Sequence, residues 1–257
     1  MPVTHLHDGS PCTCARFAGF FGGSIHPNRI CSMRNDLQIH KDVNEELRWN
    51  PLFRFLEFEA GVGKGVVTLV GIVDSYPMKL AVVNAIKGIA GVKGVMEDIR
   101  VDIPRSSVKT DAEIMEMALE TLKWHALIQE EKLRIKVKEG IVRMEGHVEW
   151  NYERTIAISA IENLIGVRSV ISIITLKPKA PSVNIKNRIC HALLRNATLE
   201  SGKIRVDVMG NTVTLRGKVG SLPEKDDAEM AAWATAGVNA VDNKLEVQFP
   251  EHVLVST

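Results

Sequence analysis

The stretch "EAGVGKGVVTLVG", Glu59–Gly71, sets Gly61, Gly63, Lys64 and Gly65 side by side and admits two readings. One is a phosphate-cradling loop; the other is a tight turn between two strands. A Walker-type loop needs four residues between its first glycine and a Gly-Lys-Ser/Thr end, followed by a helix. Here Lys64 is followed by Gly65 and then by Val66, Val67 and Leu69, which read as strand. No helix N-terminus follows to hold an anion. The stretch is a hairpin turn.

The rest of the chain repeats it. "LRW" at Leu47–Trp49 returns as "LKW" at Leu122–Trp124, an offset of 75 residues. The same offset carries Gly65 onto Gly140, Gly71 onto Gly146, Gly91 onto Gly166 and Val95 onto Val170. A further 71 residues carries these onto Asn211, Gly217, Gly237 and Val241. Self-similarity at a fixed period marks a repeated supersecondary unit. The units span 36–104, 111–179 and 182–250, joined by "RSSVKT" and "AP"; residues 1–35 precede them as a disordered tail or an upstream extension.

Each unit reads the same way. In "DAEIMEMALETLKW" Ile114, Met117, Ala118 and Leu122 share one helical face, with Met115 beside them, and Asp36 and Asp111 serve as N-caps. In "KLRIKVKEGIVRMEGHV" Leu133, Ile135 and Val137 alternate with Lys132, Arg134, Lys136 and Lys138, the period of a half-buried strand. Val142, Met144 and Val148 continue the buried face after the turn. A second helix carries Ile156, Ala160, Ile161 and Leu164 and ends at Gly166 in the left-handed conformation. "VRSVISIITL" closes the unit as a third strand. The third unit departs twice: Arg195 replaces the helix-end tryptophan, and Asn211 takes the left-handed turn position. The fold class is α+β: three tandem αββαβ units, each a three-stranded sheet with two helices on one face. Units of about 70 residues are marginal alone, so packing between them is expected.

This pattern resembles the BON domain, named for bacterial osmotically induced and nodulation proteins. The residues that carry it are the helix ends "LRWNP" and "LKWHA", the hairpins "GVVTLVGIV", "GIVRMEGHV" and "NTVTLRGKV", and the closing "AGVKGVMEDIRV", "IGVRSVISIITL" and "AGVNAVDNKLEV". The resemblance covers nearly all of residues 36–250. It implies a non-enzymatic stress-related module, osmotic or envelope, that contacts phospholipid, a hydrophobic ligand or a protein partner. The alternative is a cytoplasmic sensor of a small ion or ligand. Most members are periplasmic or lipid-anchored; the chain looks more like cytosolic triple-BON proteins, since "ARFAGFFGG" makes a poor signal core.

Composition narrows the partners. Thirty-two basic against 31 acidic residues leave a net charge of +1, and aromatics make up 5%. Neither a global cationic field nor a base-stacking surface follows, so no nucleic acid is expected. The longest apolar runs fall short of the ~20 residues of a membrane span. No cofactor is expected: His5, His7, His26, His40 and His125 are scattered, and glycine and apolar positions recur, not catalytic ones. Cys12, Cys14 and Cys31 with the early histidines form a weak zinc alternative, because "CTC" lacks the usual two-residue gap. Cys190 reads as a small buried apolar group. A basic stripe of Lys132, Arg134, Lys136, Lys138 and Arg143, echoed by Arg205, Arg216 and Lys218, reads first as an ordinary solvated face diluted by Glu130, Glu131, Glu139, Glu145 and Glu149; contact with lipid or anion is its alternative. Trp49 and Trp124, at matched helix ends, are assigned to the core or to packing between units.

Overall fold

A computed structural model of the chain describes residues 35–53, 55–125, 132–177, 184–196 and 201–248. The early cysteines and His5, His7 and His26 lie outside them. The strands and helices recur at the offsets read from the sequence, except that the first helix of the third unit starts three residues late. The first helices are α1 (Asp36–Trp49), α3 (Asp111–Trp124) and α5 (Ile185–Arg195). The hairpins are β1 (Phe58–Gly63) with β2 (Val66–Val73), β4 (Leu133–Lys138) with β5 (Ile141–Val148), and β7 (Ile204–Met209) with β8 (Thr212–Val219). The second helices are α2 (Tyr76–Lys87), α4 (Asn151–Glu162) and α6 (Leu222–Trp233). The closing strands are β3 (Gly94–Val101), β6 (Ser169–Leu176) and β9 (Ala240–Val247).

In each unit the hairpin pairs antiparallel, and the closing strand adds parallel to the second hairpin strand. A parallel neighbour requires a crossover, and the second helix supplies it. Both helices cover the same sheet face. In unit 2, Ile114, Ala118 and Leu122 of α3 meet Val142 and Met144 of β5 and Ala157 and Ile161 of α4, all essentially inaccessible to water. Units 1 and 3 build the same core around Leu69 and Leu215.

Several sequence expectations change. The N-caps of α1 and α3 are Asn35 and Thr110, one residue earlier than read. Thr110 forms a capping box with Glu113, two reciprocal bonds that satisfy otherwise orphaned amides. The α4 helix ends at Glu162, and Gly166 lies in the turn beyond it, with φ 92°. Trp49 and Trp124 are not core residues. They are 75% and 87% exposed, because the apolar face of each helix ends at Leu47 and Leu122, and a residue two positions on points away from it. Cys190 is half-buried at the edge of the unit 3 core.

The described residues belong to one compact unit, Ser32–Thr257, within which the repeats touch in a cycle. At each junction the start of one second helix meets the end of the next. Tyr76 of α2 packs into the unit 2 core beside Glu162 and the Val170 backbone. Arg154 of α4 lies over the Trp233 ring at 4.8 Å, near Glu229. Leu222 of α6 joins the unit 1 core, and Asp226 pairs with Lys87 at 3.2 Å. Exposed pairs such as Lys87–Asp226 contribute under about 1 kcal/mol. The half-buried Arg154–Trp233 contact is the stronger fastening, of order 1–2 kcal/mol.

Candidate binding surfaces

The hairpin turns show what the recurring polar residue is for. The amides of Lys64 and Gly65 donate to the Asp36 carboxylate at 2.8 and 2.9 Å. Those of Glu139 and Gly140 donate to Asp111 at 2.9 and 3.0 Å. These bonds hold the Asp111 carboxyl below its ordinary range. The aspartates therefore staple the turn to the first helix. Sequence reading placed them correctly but gave them the wrong job.

Both turn positions take left-handed backbone in units 1 and 2, at Lys64 and Glu139 (φ 54°) and at Gly65 and Gly140. This is the geometry of a two-residue turn that needs positive φ twice. In unit 3 the positive φ falls on Gly210 and not on Asn211, which corrects the expectation for that residue. Asn211 instead donates its side-chain amide to the Gly237 carbonyl at 2.7 Å. In unit 2 a Cβ on Gly140 would stand 3.0 Å from the matching Gly166 carbonyl, and Gly65 faces Gly91 in the same way. A side chain in left-handed backbone costs about 1–2 kcal/mol. Glu139→Gly is accordingly expected to raise stability by about 1 kcal/mol in chemical denaturation, with Lys64→Gly behaving alike.

A cleft of about 450 Å³ opens beside the unit 2 turn, between Ile103, Val108, Lys109 and Arg168. Asp111, one of its carboxylates, holds the turn. On the same helix Glu113 accepts from Thr110 and Lys109, which pulls its pKa down to about 2. No group of three or more metal-ligating side chains assembles among the described residues.

The outer sheet faces carry the basic residues singled out in the sequence. Arg134, Lys136 and Lys138 of β4 and Arg143 of β5 are exposed there, while Lys132, just before β4, is half-buried and paired with Glu149 at 3.2 Å. Glu145 sits among them, 3.6 Å from Lys136 and 2.7 Å from Arg143, and these cations lower its pKa. Within the unit 2 stripe Glu145 therefore offsets part of the charge of four exposed cations. Unit 3 differs: Arg205, Arg216 and Lys218 are exposed on the equivalent face, and Arg205 stands directly opposite Arg216. The remaining markers, Gly71, Gly146 and Gly217, lie mid-strand under the start of the first hairpin strand. A Cβ there would meet Phe58, the Lys132 carbonyl or the Lys203 carbonyl respectively.

The helix ends are the second exposed feature. Arg48–Trp49 and Lys123–Trp124 each set a cation beside a solvent-facing indole. Leu52 and Phe55 extend the apolar exposure of the first, and Leu194 occupies the matching end of α5.

At the junctions between units, burial pushes Glu162 and Tyr76 up and Arg154 down. A raised carboxyl favours folding while protonated, below the unfolded value near 4.5, and that advantage is lost as pH climbs through the folded pKa. Glu162→Gln is thus expected to raise the melting temperature at pH 7 and to leave it unchanged at pH 4. A pH series of thermal melts measures both.

No curated protein shows a significant sequence match to the chain. Among solved structures it is similar to the C-terminal domain of CdsD, a structural protein of the type III secretion system of Chlamydia trachomatis. That likeness has 13% identity and a TM-score of 0.23, covering 84% of this chain and all of that one. The PrgH periplasmic domain is similar at 10% identity and a TM-score of 0.20, covering 82% of this chain and all of its own. The BON domain model matches three regions, 35–102, 110–178 and 182–248. With three helix–hairpin–helix–strand units in one register and a family match along most of its length, this chain belongs to the BON domain family.

Proposed function

We propose that the chain is a non-enzymatic binding scaffold that docks on anionic phospholipid surfaces, in the stress setting associated with its family. The observation that carries this is the pair of exposed tryptophans, each next to a cation, at the same helix end of two units. Indole rings favour the boundary between headgroups and acyl chains, and each neighbouring basic residue adds about 1 kcal/mol near an anionic leaflet. Two such anchors on one chain multiply their effect if both reach the same surface. Among the described residues no helix is long and apolar enough to cross a membrane, so the contact is peripheral. The basic sheet faces of units 2 and 3 add long-range attraction.

Co-sedimentation with vesicles tests the reading. Vesicles rich in phosphatidylglycerol are expected to pull the protein down and to blue-shift its tryptophan emission, while phosphatidylcholine vesicles leave both unchanged. Trp49→Ala with Trp124→Ala is expected to cut binding at least tenfold without altering the fold. Equal binding by wild type and double variant would remove the helix ends from the function, and no binding at all would favour a protein partner.

A further inference from the structure

The three sheets share one register, so the same row of three residues can be compared across their outer faces. In unit 1 it is Glu59–Val70–Asp98, in unit 2 Arg134–Glu145–Ile173, and in unit 3 Arg205–Arg216–Lys244. The middle row is balanced. The first carries two negative charges and the third carries three positive ones. Like charges directly opposite in a sheet are unfavourable, yet Arg216 stands between two other cations. Lys244 has a carboxylate at 2.7 Å in Asp242, whereas no carboxylate lies within ion-pair distance of Arg205 or Arg216 among the described residues.

We infer that the outer sheet face of unit 3 docks on the outer sheet face of unit 1 in a second copy of the chain. The charge rows are complementary in that pairing and repulsive in either self-pairing. The contact is therefore head-to-tail, and such contacts propagate unless they close into a ring. Shape and apolar content agree. Gly61 and Gly63 leave β1 without side chains beside Glu59, with nothing within 4 Å of where a Cβ would stand, which opens a flat lane. Val70, Ile72 and Met96 are exposed next to it. On the opposing face Met209 is 85% exposed at the end of β7. Arg100 on the first face and Asp207, Asp242 and Glu246 on the second moderate the charge, and Lys218 adds to that of the second.

Sedimentation velocity on the full chain tests this. The wild type is expected to gain mass with concentration at low salt and to return to monomer near about 0.5 M salt, where screening shortens to a few ångströms. The variants Arg205→Glu/Arg216→Glu and Glu59→Arg/Asp98→Arg each damage one face, and each alone is expected to stay monomeric. Mixed one to one, they present one intact pair of faces and one charge-reversed pair, both complementary, and so are expected to regain the head-to-tail association that each lacks alone. Circular dichroism checks folding; if either pair fails to fold, the glutamine versions replace it with a smaller effect. A wild type that is monomeric at every concentration, a single variant that still associates, or a mixture that does not pair would each overturn the inference. A monomeric wild type whose vesicle binding is lost in Arg205→Glu/Arg216→Glu would assign the face to lipid instead.

Discussion

Gly146→Ala is expected to destabilise the protein by about 3 kcal/mol or more, and Gly217→Ala by as much. A Cβ at Gly146 would stand 2.2 Å from the Lys132 carbonyl oxygen, and one at Gly217 would stand 2.1 Å from that of Lys203. Both obstacles are backbone, held by the hairpin that pairs Leu133 with Gly146 and Ile204 with Gly217. Both glycines also have φ values that side chains rarely adopt, 150° and 132°. Relief would require the first hairpin strand to lift away, which uncovers the core beneath it. The internal control is Gly71→Ala. Its nearest obstacle is the Phe58 ring, a side chain that can swing aside, and no positive φ is required there. Urea unfolding of the three variants should rank Gly71→Ala well below the other two. Equal losses would mean that the glycine is kept at this position for something other than the backbone contact.

Leu215→Ala is expected to cost about 2–5 kcal/mol, the range for emptying a fully buried leucine site. Leu215 is inaccessible to water, at the position held by Leu69 in unit 1 and Met144 in unit 2. The informative part is where the loss shows. Leu222 of unit 3 packs into the unit 1 core, and Trp233 fastens unit 3 to unit 2 through Arg154. Small repeats that share side chains in this way are expected to unfold together. The melting curve should therefore shift as one transition for Leu215→Ala. In the added background of Arg154→Ala it should split into two. A two-step melt already present in the wild type would show that the junctions contribute little.

Much of the fold was legible in the residues themselves. Spacing of glycines at 65, 140, 71 and 146 located the hairpins, and the two-residue alternation from Leu133 to Val137 located the buried sheet face. The turn aspartates were visible but misassigned. A carboxylate at a helix start looks like a cap, and only the folded hairpin shows that it accepts amides 28 and 29 residues away. The tryptophans were misread for a related reason: bulk and apolarity argue for burial, yet the helical phase past Leu47 and Leu122 turns them to water. Asn211 could be seen as a departure from the pattern, while its bond to the Gly237 carbonyl depends on two turns meeting in space.

The chain by itself therefore determined the unit, its element order, its copy number and its membership of the BON family. Those properties rest on local periodicity and turn chemistry, which a linear pattern records directly. Tertiary structure alone decided which polar groups are consumed internally, as Asp111, Glu113 and Glu145 are, and which remain outward, as Arg205, Arg216 and the two indoles do. It also decided that the second helices meet end to start in a cycle. Strand register and helix packing bring together residues far apart in the chain, and no periodicity within one unit encodes its neighbour.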